Sequence, residues 1–109
     1  MSIFLTRVEL HGVDHSSGTY QALHTQMERR LFSRTIKGGD GVTYELPPAE
    51  YYSHSSSLDA NGVRRIGVEA AAAIGFAVGP ISGLRNTCSV ITSEADRISW
   101  SGLRVAKAA

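Results

Sequence analysis

At 109 residues, with 42% hydrophobic and 19% charged residues, the chain has the make-up of one ordinary globular domain and not of a disordered segment. Eleven basic residues against ten acidic ones give a net charge of +1, so no global field draws in nucleic acid or an anionic membrane, and any basic site must be local. No apolar run of about 18 residues exists, and the opening MSIFLTRVEL meets Arg7 and Glu9 too early for a signal peptide, so the chain reads as cytoplasmic with no membrane partner.

Residues 3–11 alternate: Phe4, Thr6, Val8 and Leu10 fall on one side, and Arg7, Glu9 and His11 on the other. That period of two predicts a strand with one buried face. GVDHSSGT follows as a turn-rich link that ends in residues able to cap a helix. Tyr20, Leu23, Met27 and Leu31, spaced by three and four, predict a helix over 17–31, with His24, Glu28 and Arg29 flanking or opposing the apolar stripe.

The next stretch, FSRTIKGGDGVTYEL, predicts a hairpin, because Gly38, Gly39, Asp40 and Gly41 tolerate the positive φ angles of a tight turn between two extended runs. Pro47 and Pro48 lack backbone donors, so pairing breaks there and AEYY continues as extended chain beyond the break. Ser57 is the expected N-cap of a second helix through Gly75, with Val63, Ile66, Ala70, Ala73 and Ile74 as its stripe and Gly62 and Gly67 weakening it. FAVGPISGLRN reads as a loop with room for a short extended piece. TCSVITS from Thr87 reads as a strand, a turn is expected at Glu94 to Asp96, and RISWSGLRV reads as one further strand before a fraying AKAA tail.

This order predicts an α+β fold of the ferredoxin-like βαββαβ type as a single domain over 1–109. Its antiparallel sheet would carry two helices on one face, with an extra C-terminal strand. The open face would present Arg7, Glu9, His11, Thr43 and Glu45, and a twofold homodimer would cover it.

The chemistry is less legible. The single Cys88 has no second cysteine for a disulfide or a CxxC pair and reads as a small buried hydrophobe. His11, Asp14 and His15 lie across a strand end and a turn, not at the helical spacing of metal ligands, so no metal is expected. His24 and Glu28, four apart, form either a base with its orienting carboxylate or an ordinary surface pair. Arg29, Arg30, Arg34 and Lys37 make the densest basic cluster, which is either a solvated helix end or a local grip on phosphate. Tyr44, Tyr51 and Tyr52 are sheet-packing residues or stacking platforms. No phosphate-loop or serine-nucleophile signature is present, and Trp100 is expected in the core or an interface.

Taken together, LTRVELHG, YQALHTQM, FSRTI, TYELPPAEYY and SVITSEADRISWSGL resemble the GhoS-like endoribonuclease antitoxins of type V toxin–antitoxin systems and related small proteins. The resemblance runs through most of the chain in order; the glycine-rich FAVGPISGLRN departs from it by its length. It implies a ferredoxin-like fold similar to the small CRISPR-associated nucleases and cleavage of a toxin's messenger RNA. If the chain cleaves RNA, the expected route needs no metal or cofactor. Candidate catalytic residues are His11, His24 and Arg34, aligning the 2′-hydroxyl and balancing charge on the phosphate, while Arg7, Arg29, Arg30 and Lys37 contact RNA. The alternative is a non-catalytic protein-interaction module using the open sheet face or an edge.

Overall fold

The computed structural model describes residues 2–107. The chain forms β1 (Ser2–Leu10), α1 (Gly18–Arg29), β2 (Thr35–Lys37), β3 (Thr43–Glu45), β4 (Glu50–Ser55), α2 (Ala60–Ala72), β5 (Ala77–Val78) and β6 (Thr87–Ala95). Four strands make one sheet in the order β4-β1-β6-β5, and β2 and β3 make a separate two-stranded sheet.

The alternation of β1 dictates the layers. Phe4, Thr6, Val8 and Leu10 are all buried, and both helices lie on their side of the sheet. From α1, Tyr20, Leu23 and Met27 join Phe4, Val8 and Leu10 in one core cluster. From α2, Val63, Ala70 and Ala71 join the same cluster. Gly67 was expected to weaken this second helix, yet it is what lets α2 lie close: a Cβ there would sit 3.4 Å from both Thr6 Cγ2 and Val90 Cγ1. The two threonines of the helix-covered face, Thr6 and Thr92, satisfy each other at 2.9 Å.

Both helices begin and end by local chemistry. The Ser17 hydroxyl accepts from the Tyr20 amide at the start of α1. Asp59, not Ser57, caps α2, accepting from Gly62 N at 2.9 Å. Each helix closes with a left-handed residue followed by a buried phenylalanine whose amide reaches back five residues: Leu31 then Phe32 to Met27 O, and Gly75 then Phe76 to Ala71 O. Leu31 therefore lies outside the stripe expected of it and is 87% exposed, and Ala73 likewise faces solvent.

Three further expectations need correction. The main sheet is mixed, because β5 pairs parallel to β6 (Ala77 with Thr87, Val78 with Cys88) while β1 pairs antiparallel with both β4 and β6. Residues 97–105 form no strand; they approach β3 through a single bridge, Tyr44 with Val105, flanked by hydrogen bonds from Glu45 N to Arg104 O and from Ala106 N to Thr43 O. Thr43 and Glu45 thus belong to the small sheet and not to the open face of the large one. The hairpin itself forms, with Thr35, Ile36 and Lys37 opposite Glu45, Tyr44 and Thr43. After the prolines the extended chain becomes a full strand of the main sheet, β4. Before leaving for the hairpin, the chain touches the outer edge of β4 once, where Ser33 and Tyr52 exchange two 2.7 Å hydrogen bonds. Cys88 is fully buried, as expected, and burial raises its thiol pKa. Of the AKAA tail, Ala106 is fastened to β3 and the last two residues lie outside those described. Among the described residues no helix is long and apolar enough to cross a membrane.

Candidate functional site

The four histidines separate by environment. His24, read from the sequence as flanking or opposing the stripe of α1, is 3% exposed, and its Nδ1 lies 2.7 Å from the Tyr51 hydroxyl. Burial, with a smaller push from the Arg34 charge, lowers its pKa to about 4, so it is neutral at physiological pH and shut off from bulk water. Tyr51, on β4, is itself pushed upward chiefly by burial. Such an imidazole cannot exchange a proton with a substrate at the surface. Its proposed carboxylate partner, Glu28, is exposed. His11, at the end of β1, is half-buried with Nδ1 2.8 Å from Thr87 Oγ1, under the loop that carries Ile81 and Leu84.

His15 was passed over as a turn residue, and it has the most organised surroundings. Its Nε2 lies 2.9 Å from Glu9 Oε2, the oxygen that also accepts the Tyr20 hydroxyl at 2.9 Å, while the Leu10 amide donates to Tyr20 at 2.8 Å. The other Glu9 oxygen is 3.3 Å from Arg7, which reaches Glu50 at the same distance. Burial opposes ionisation of Glu9, but the hydrogen bonds from His15 and Tyr20 and the charges of His15 and Arg7 outweigh it and hold its carboxyl below the ordinary range. Tyr20 is pushed up to about 12, first by burial. A carboxylate beside Nε2 favours the tautomer protonated there and leaves the lone pair on Nδ1. The arrangement can take up and return a proton at an exposed position. The sequence signal was present but faint: Glu9 and His15 are six apart across a turn, a spacing with no helical or strand periodicity.

The cations divide as well. Arg7 is committed to Glu9 and Glu50, and Arg30 bonds Gln26 through its side-chain and main-chain oxygens. Arg29 and Lys37 are exposed, the first in the last turn of α1 and the second on β2. Arg34 has the more telling position. It lines two adjoining clefts, of 340 and 250 Å³, the first with Arg104 and the second with Lys107; Glu45 borders both. Three cations thus line neighbouring clefts, and none is ion-paired with Glu45 among the described residues. Arg104 and Lys107 arrive some 70 positions later in the chain, carried by the segment fastened to β3. The same segment brings Trp100 edge-on to Tyr44, with ring centres 5.6 Å apart.

No family model matches the chain, and no match is found among the curated proteins or the solved structures.

Proposed function

We propose that the chain is a small RNA-binding protein that acts as the antitoxin of a toxin–antitoxin system, in line with the resemblance described above. The observation that carries the reading is that Arg34, Arg104 and Lys107 line two clefts that share Arg34 and Glu45. Such a cluster supplies sequence-independent contacts to phosphates even where the protein as a whole is almost neutral. The topology is compatible with a ferredoxin-like plan: β4 and β6 flank β1 antiparallel, and each helix lies between strands that this plan connects. Ser33, paired with Tyr52, stands where the second strand of that plan would begin, with the β2–β3 hairpin as an excursion and β5 as an addition. Cytoplasmic location and a homodimer belong to the same reading. The exposed side chains of Ile81 and Leu84, on the loop between β5 and β6, would give such a dimer apolar surface to bury.

If RNA is cleaved, the group best suited to act is His15. Its Nδ1 would take the 2′-hydroxyl proton, the 2′-oxygen would bond to phosphorus as the P–O5′ bond breaks, and the departing 5′-oxygen would take the proton back from Nδ1. The products would be a 2′,3′-cyclic phosphate and a 5′-hydroxyl, with no metal in the step.

The test is filter binding of a labelled single-stranded RNA across a salt series. Arg34→Ala and Arg104→Ala are each expected to weaken binding and to lower the salt slope by about one unit. A wild-type protein that shows no salt-sensitive binding overturns the reading. A non-catalytic protein-interaction module is the second reading, favoured by the same exposed apolar side chains and by the net charge of +1. It predicts that Ile81→Ser and Leu84→Ser abolish self-association or partner binding while RNA affinity is negligible throughout.

A further inference from the structure

Where the chain leaves the outer edge of β4 for the β2–β3 hairpin, it opens a cleft of 330 Å³, near the lower end of the range for small-molecule sites. Tyr52 and His54 alternate along β4 onto the open side of the sheet, with ring centres 6.4 Å apart, and both line this cleft. Lys37 and Thr43, opposite each other in the hairpin, line it from the small sheet.

The lining combines aromatic faces, hydroxyls and one lysine, and no carboxylate borders it. That chemistry suits a group with a flat ring, hydrogen-bonding edges and a negative charge. We infer that this cleft seats one nucleotide of a single-stranded RNA, its base against Tyr52 and His54 and its phosphate beside Lys37. Stacking on aromatic side chains of an open sheet is a recurrent way of holding unpaired bases, and it tolerates many sequences because every base has a π face. The inference rests on the RNA-binding reading, and it adds a seat for a base where the clefts of Arg34, Arg104 and Lys107 supply only charge.

Fluorescence anisotropy of 5′-fluorescein hexauridylate, titrated with the full chain, tests it. Tyr52→Ala is expected to raise Kd about tenfold or more, while Tyr52→Phe, which keeps the ring, stays within about twofold of wild type. Lys37→Ala should lower the salt slope by about one unit with an unchanged melting temperature. If Tyr52→Ala and Lys37→Ala both bind as wild type while Arg104→Ala weakens binding, the cleft assignment is wrong and the RNA reading stands. A wild-type chain that fails to bind the oligonucleotide even at low salt overturns both.

Discussion

The helix-covered side of β1 and its open side are built from alternate residues of one nine-residue strand, yet they do different work. On the covered side, Phe4, Val8 and Leu10 are sealed by two helices, and the polar Thr6 is accepted only because Thr92 answers it. On the open side, Arg7 and Glu9 hold each other and their neighbours in a charged chain that ends at His15. The difference repeats at the two histidines that flank Tyr20. Each has one close partner, but His24 is enclosed and held neutral, whereas His15 faces solvent beside a carboxylate. Stability is concentrated on one side and available chemistry on the other.

Mutation can break this contrast. Phe4→Ala removes a fully buried ring beneath both helices and should cost about 3–5 kcal/mol in urea unfolding, the largest single effect expected. Next comes His24. Its folded-state pKa is depressed, so as pH falls the unfolded chain takes up a proton that the folded chain refuses. Stability is complete above about pH 6.5 and is lost as pH falls toward 4, by on the order of 3 kcal/mol. His24→Gln should be flatter than wild type in that window; two parallel curves would refute the assignment. The smallest effect belongs to the open side, where Ile91→Ser should change the melting free energy by less than about 0.5 kcal/mol.

Much of the covered side was legible, because strand alternation and helical spacing report directly on which residues meet a core. Phe4, Val8, Leu10, Tyr20, Leu23, Met27, Val63 and Ala70 all stand where their periods put them. His24 was misjudged because a polar residue next to a stripe looks like a surface residue until a partner such as Tyr51, 27 positions away, is known. Leu31 continued the stripe by spacing, but the helix had already turned into a left-handed ending, a role that composition marks clearly at Gly75 and hides at a leucine. The candidate site was the least legible part. Arg34 shares cleft linings with Arg104 and Lys107 only because the last described segment crosses to β3, and no local pattern announces that crossing. The parallel β5 escaped for a similar reason: two residues in a glycine-rich loop carry no period to count.

The sealed thiol of Cys88 has a practical side. With no surface exposed and its ionisation suppressed by burial, it should ignore maleimides and mild oxidants while the fold is intact. The native chain is thereby a blank background for site-specific labelling. A cysteine introduced on the rim of the hairpin or beside Arg104 would be the sole reactive handle, and dye or spin pairs placed there could follow the molecule at work without any native residue first being removed.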